Sequence, residues 1–303
     1  MRLADHCGLY LSELAREDHR LWVLDGDLAD SDGAVHFAER YPERFLMSGI
    51  AEQSMVSVAA GMASCGLRPW VFSFAAFLCY RAYDQIRITV SQARQPVTLV
   101  GSHSGGCSSR NGKTHAAVND IALMASLPGV QVWAPAGPRE VRFACRSILA
   151  GEAPAYLRLP RRPLDDLPCE PALAGWIGRP APVAFAGSGL GTHLALAARG
   201  LLKERGLEVG LLHCLRLSPL PDPLAAALRE VRTLFVVEDH STFGGLATLL
   251  RQLDLDARIV SLGWPPGWPG QSGDDFELLR LHGLSPEQIA ATVEGAVGRR
   301  GAA

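Results

Sequence analysis

Two rhythms of apolar and polar positions alternate along the chain. LYLSELARE at 9–17 spaces its apolar residues as a helix does, and LWVLDGDL at 21–28 is a continuous apolar run ending in acidic residues, as a buried strand would. EQSMVSVAAGMASC at 52–65 predicts a helix packed closely through small residues. PWVFSF, PVTLVGSH, VQVWAP and AYLRLP predict further strands, separated by helices over RAYDQIRITVSQA, over Asn119 to Ser126 and over Pro138 to Leu149. The stretch 161–182 carries five prolines and loses all periodicity, and then the pattern restarts. VAFAGSG, LEVGLLHCL, TLFVVEDH and ARIVSLGW predict strands. THLALAARGLLKERG, PDPLAAALREV, GGLATLLRQL and a last segment opened by Ser285 predict helices. Strands alternating with amphipathic helices imply parallel pairing through right-handed crossovers. The expected fold class is therefore α/β: two doubly wound domains, residues 1–165 and a smaller one at 182–303, joined by a linker at 166–181.

Composition narrows the function without naming it. The 303 residues are 48% hydrophobic and 20% charged, enough for two cores. A formal net charge of −2 gives no footprint for nucleic acid or an acidic membrane. The most apolar stretch, Trp70 to Tyr80, is flanked by arginines and is far shorter than the roughly 20 residues of a membrane span. Seven cysteines without a CxxC pair point away from disulfides and zinc. Charges in MRLADHCGLYLSELARED interrupt any signal-peptide core, so a cytoplasmic location is expected.

In an open parallel sheet, ligands bind beyond the carboxyl ends of the strands. Asp25-Gly26-Asp27, Ser102-His103 and Arg158 fall there, and Glu52 begins a helix after a short segment. Each has an ordinary reading as well. A carboxylate at a helix start is usually a dipole partner. Phe72, Phe74, Phe77, Tyr80 and Tyr83 could all be core. His103 and His115 could be hydrogen-bonded loop residues, and Arg158 could serve a strand-end salt bridge. GSGLG at 187–191 lacks the third glycine of a dinucleotide loop.

The combination is more specific than its parts. SGIAEQSM, FSFAAF with YRAYDQIR, GSHSGG with NGKTH, and DIALMASLPGVQVWAP resemble, in order, the pyrimidine-domain signature of the transketolase family. There the segments read much like GIREHAM, a phenylalanine-rich FAAF-type stretch and a glycine loop ending in EDGPTH. VVEDHSTFGGL and GDDFELLRLHGLSPEQIAATV resemble the C-terminal domain shared by transketolases, 1-deoxyxylulose-5-phosphate synthases and β subunits of 2-oxo-acid dehydrogenases. The likeness covers nearly the whole chain.

The resemblance implies thiamine diphosphate as cofactor and transfer of a two-carbon ketol unit between phosphosugars. It implies that Glu52 hydrogen-bonds N1′ of the aminopyrimidine, and a carboxyl set against aromatic rings should have a raised pKa. Phe74, Phe77 and Tyr80 match the aromatic pocket, with one residue more than the family pattern near Leu78–Arg81. His103 and His115 match histidines that face substrate hydroxyls and phosphate. Arg158 matches a phosphate-gripping arginine, and Arg2 a second. Asp27 and Leu28 align with a segment that touches cofactor across a subunit interface. Asn111 stands where the family has an aspartate that recognises a donor hydroxyl, with Arg110 and Lys113 adding charge beside it.

The family's GDG motif with its downstream Asn, which holds Mg²⁺ and diphosphate, has no counterpart here. No metal ligand is therefore expected on this chain. An N-terminal-half partner subunit carrying Mg²⁺ is implied, in an α2β2 heterotetramer. The alternatives are a β subunit of a 2-oxo-acid dehydrogenase or another thiamine diphosphate enzyme, and a non-catalytic regulatory half.

Overall fold

The computed structural model describes residues 1–107 and 109–298, and of Ser109 and Arg110 it describes the backbone. The added charge expected from Arg110 therefore lies outside the described side chains. Among the described residues twelve strands gather into two sheets. The strands are β1 (Leu21–Asp25), β2 (Phe45–Met47), β3 (Arg68–Phe74), β4 (Thr98–Ser104), β5 (Gln131–Trp133), β6 (Ala155–Pro160), β7 (Ala174–Trp176), β8 (Val183–Gly187), β9 (Gly210–Cys214), β10 (Arg216–Ser218), β11 (Thr233–Ser241) and β12 (Arg258–Trp264). The first sheet runs β10-β5-β6-β4-β3-β1-β2, and the second β12-β11-β8-β9-β7. Every pairing is parallel except β10 with β5 and β7 with β9, at one edge of each sheet. The molecule is thus α/β with two mainly parallel sheets, as its alternating pattern implied.

The central strands β3, β4, β6 and β11 are buried along their whole length. Helices on both faces leave no polar side to a parallel sheet, which is why these strands read as unbroken apolar runs. Helices Leu3–Leu14 and Pro138–Ala150 pack on one face, and Glu52–Ser64 lies on the other. Two apolar cores result, and each runs through both sheets: one includes Leu11, Phe72 and Phe235, the other Met55, Leu99 and Val236. Each large side chain so buried stabilises the fold by about 1.5–3 kcal/mol.

Three strands depart from the expected pattern. The β7 strand lies inside the segment read as an aperiodic linker and pairs antiparallel with β9. From the second half of the chain, β10 crosses over to close the edge of the first sheet against β5. The β2 strand follows a short 3-10 turn at Pro42–Arg44 and was not signalled at all. The helix expected over RAYDQIRITVSQA is instead a short α-turn, Tyr83–Gln85, set between π-helical segments Phe77–Arg81 and Ile86–Gln92. A π-turn holds one residue more than an α-turn, and such turns concentrate at functional sites. The first falls where the family comparison counted an extra residue.

The glycines of GSGLG serve packing. A Cβ at Gly191 would sit 2.2 Å from the Val237 carbonyl oxygen, so helix Leu190–Glu204 meets β11 backbone to backbone. No helix among the described residues is long and apolar enough to cross a membrane.

Candidate functional site

The carboxyl ends of β1, β3, β4 and β6 open onto one side of the first sheet, and the polar residues of interest collect there. Glu52 is the first residue of helix Glu52–Ser64, just beyond β2, and is 1% exposed. Its carboxylate is not left against aromatic rings alone. The Arg81 guanidinium donates from one nitrogen to both oxygens, at 2.8 and 2.6 Å, and lies 4.7 Å from the Phe77 ring centroid. Phe77, half-buried, has Phe74 stacked beside it at 5.6 Å, and the His115 ring meets its face edge-on at 5.1 Å. Phe74 in turn touches His103, with ring centroids 4.0 Å apart. Phe77, Phe74, His103 and His115 are therefore one contiguous wall, and Arg81 links its Phe77 end to Glu52.

His103 holds a left-handed backbone, φ 54°, at the end of β4, and its Nδ1 lies 3.2 Å from the Ser102 hydroxyl. A non-glycine residue in that region is uncommon and concentrates at working sites. Burial, then the charges of Arg161 and Arg2 and the neighbouring His115, push its pKa down to about 3. The imidazole is neutral across the physiological range. It can donate and accept hydrogen bonds there. His115 is also shifted down, by burial, and pairs through Nδ1 with the Thr114 hydroxyl at 2.8 Å.

Asp27 and Leu28 sit in the loop after β1, with Asp27 exposed and left-handed at φ 68°. Two groups hold that loop. Asp25, buried beneath it, accepts the Leu28 N–H at 2.8 Å. Arg2 grips Asp5 at 2.7 Å and donates to the carbonyls of Asp30, at 2.9 Å, and Ser31. Arg2 thus supports the loop instead of standing free for phosphate. Burial pushes the pKa values of Asp25 and Asp32 up, and the two carboxyls interact directly.

Two further expected site residues are Arg158 and Tyr80. Arg158 is 2% exposed, and its Nε donates to Asp120 at 2.8 Å while its other end donates to the Asp239 carbonyl. Burial opposes its charge, yet Asp120, Asp239 and Tyr156 hold its pKa above the ordinary arginine value. This arginine ties β6 to β11 from a buried position. Tyr80 lies in the π-turn and is 46% exposed, and burial, then the nearby Asp120 carboxylate, push its pKa up to about 12. Asn111 and Lys113 are exposed on the loop before His115. Residues that sequence reasoning passed over are Arg81, Arg161 and Asp120. Arg161 is exposed directly after β6, close enough for its charge to depress His103. The signal for it was present in the doubled arginine following AYLRLP.

Two mainly parallel sheets, with an acidic helix start and an aromatic–histidine wall at the first sheet's carboxyl edge, define an α/β class whose ligand site lies beyond the strand ends. The chain belongs to the transketolase family: residues 1–165 match the transketolase pyrimidine-binding domain and residues 181–289 the transketolase C-terminal domain. It is 31% identical over 297 residues to a protein of Methanocaldococcus jannaschii described as a transketolase C-terminal section, covering 94% of this chain and 93% of that one. A 6-deoxy-6-sulfo-D-fructose transketolase subunit of a Clostridium species is 33% identical over 78% of this chain and 76% of its own length. Against the 1-deoxy-D-xylulose-5-phosphate synthase of Symbiobacterium thermophilum the identity is 31%, and the chain spans only 46% of that protein. Among solved structures, a split-gene transketolase described as an inactive β4 tetramer superposes with a TM-score of 0.89 at 28% identity, over 98% of this chain and 99% of that one. The transketolase of Pichia stipitis with sedoheptulose-7-phosphate shares the fold at a TM-score of 0.83, over 46% of its length.

Proposed function

We propose that this chain is the C-terminal half of a split transketolase, which builds the pyrimidine side of a thiamine diphosphate site and transfers a two-carbon ketol unit between phosphosugars together with an N-terminal-half partner. The observation that carries this is the buried Glu52 carboxylate at the carboxyl edge of the first sheet, joined to the Phe77 ring through the single guanidinium of Arg81. That pairing of an acceptor edge and an aromatic face fits an aminopyrimidine. When bound, thiamine diphosphate supplies a carbanion stabilised next to a former carbonyl.

The chain's own residues do the rest. Glu52 holds a proton on N1′ of the pyrimidine. Phe77 and Phe74 bear on its ring and keep water away. Neutral His103 and His115 hydrogen-bond sugar hydroxyls, and Arg161, with Lys113 at the rim, takes over the phosphate contact expected of Arg158. Asn111 offers a neutral hydrogen-bonding partner to the donor sugar. Asp27 and Leu28 reach toward cofactor bound in the other half of the site. The pyrimidine unit spans residues 1–165 and the C-terminal unit 182–303. Mg²⁺ and diphosphate are assigned to the partner, because the family's GDG motif with its downstream Asn has no counterpart in this sequence. Exposed Leu46, Met47, Ile50 and Val58, close to Glu52 in sequence, offer an apolar surface suited to that partner. The particle is then an α2β2 heterotetramer.

Calorimetric titration of Mg²⁺–thiamine diphosphate, with this chain alone and with a partner chain carrying GDG and its downstream Asn, tests the proposal. Strong binding is expected only with both chains. Glu52→Gln should lower ketol transfer by about a hundredfold or more while leaving the chains associated. Full transfer by the variant, or equally strong binding without the partner, would refute it.

A further inference from the structure

The guanidinium of Arg81 occupies both surfaces by which the proposed site recognises a pyrimidine. It is planar and presents N–H groups. Its nitrogen satisfies both Glu52 oxygens, and its central carbon lies over the Phe77 ring, 4.7 Å from the centroid. An aminopyrimidine, also planar and able to donate hydrogen bonds, would use the same carboxylate edge and the same aromatic face. Two groups cannot hold these places together.

The two partners of this ion pair are unlike in exposure. Glu52 is 1% exposed, whereas the Arg81 side chain is 44% exposed. A buried carboxylate is destabilised when its partner leaves and nothing replaces it. An exposed arginine swings into water at little loss, since its charge is readily hydrated and exposed ion pairs are weak. The arrangement therefore exchanges one partner for another and is stable in both states. Arg81 also closes the π-turn that begins at Phe77, so a single turn of chain supplies both the ring and the group that covers it.

We infer that Arg81 is a stand-in for the aminopyrimidine: it caps Glu52 and Phe77 in the unassembled chain and must be displaced before cofactor can enter. The inference rests on the proposed function and adds to it a gate carried by the chain itself. It keeps Glu52 paired until partner and cofactor arrive, and it lowers the apparent affinity for cofactor by the fraction of time the gate is open. A gate shut for nine-tenths of the time weakens apparent binding about tenfold.

The intact chain tests this without a partner, using 4-amino-5-hydroxymethyl-2-methylpyrimidine, which lacks the diphosphate, as the probe. Titrations would compare wild type, Arg81→Ala, Arg81→Gln and Glu52→Ala, with thermal melts to verify folding. The expectation is binding about tenfold tighter in Arg81→Ala than in wild type, an intermediate gain in Arg81→Gln, and loss in Glu52→Ala. In the wild type, probe saturation should move the ¹⁵N resonance of Arg81 Nε. Equal or weaker binding by both Arg81 variants overturns the gate while leaving the function standing, as does an unmoved Arg81 resonance in a saturated wild type. Absence of probe binding in every form, or binding untouched in Glu52→Ala, overturns both.

Discussion

At the scale of single residues, the chain buries charges that only make sense in pairs. Arg158 and Asp120 are the clearest case, at 2.8 Å and almost fully enclosed. Asp120 also accepts the Tyr156 hydroxyl at 2.8 Å. Asp120→Asn is expected to lower unfolding free energy by about 3–5 kcal/mol, because Arg158 is left charged without a counterion. A loss below about 1 kcal/mol in denaturant unfolding would return Arg158 to a surface role. His103 gives a pH signature. Its folded pKa, about 3, is depressed below the ordinary 6.5, so the unfolded chain takes up the proton first. Its contribution to stability is complete above 6.5 and is lost as pH falls toward 3. His240, lowered to about 4 by burial, acts in the same direction. A His103→Gln variant should flatten the acid limb of a stability–pH curve, and an unchanged limb would place the titration elsewhere. Glu52, Phe74, Phe77, His103 and His115 were named as one site by the family resemblance, whereas pattern alone left each with an ordinary reading. The sequence could not show that Arg158 is enclosed, since the residues enclosing it, Asp120 and Asp239, lie 38 and 81 positions away.

At the scale of elements, periodicity located the long strands and helices and failed on the short ones. The β2, β7 and β10 strands are three residues each and only partly buried, so none carries an apolar run long enough to read as a strand. All three are edge strands, and neighbours decide their pairing. The π-helical segments escaped for another reason: a pattern of apolar positions over one or two turns does not separate an i→i+5 ladder from an i→i+4 one. Gly191 shows the opposite case, where a local motif had a structural cause. Gly191→Ala should destabilise by about 1–3 kcal/mol, because the new methyl meets the Val237 carbonyl of β11 and helix Leu190–Glu204 must move outward. Thermal unfolding checks this, and a neutral result would mean that the helix is free to shift.

At the scale of the whole molecule, the two sheets are bolted together by buried polar contacts. Glu140 meets His213 at 3.0 Å, and Arg158 reaches the Asp239 carbonyl. Within the second sheet, buried Glu238 accepts the N–H groups of Leu246 and Ala247 at 2.6 and 3.2 Å. Burial nevertheless pushes its pKa up to about 7. Folding therefore favours the protonated acid, and the stability present below the ordinary 4.5 is lost as pH rises through 7. Glu238→Gln should be more stable than the parent at pH about 8, by on the order of 1–3 kcal/mol, with little difference near pH 4. Urea titrations at the two pH values read this directly.

The crossing of β10 to the edge of the first sheet has a consequence for synthesis. The β5 strand is made early, but its outer hydrogen-bonding edge stays open until residue 218 has left the ribosome. From the end of β6 that is roughly 60 further residues, or about 3–12 s of translation at about 5–20 residues per second. For that interval the nascent sheet offers an unpaired backbone ladder to any other strand nearby, the situation in which chaperone capture competes with self-association.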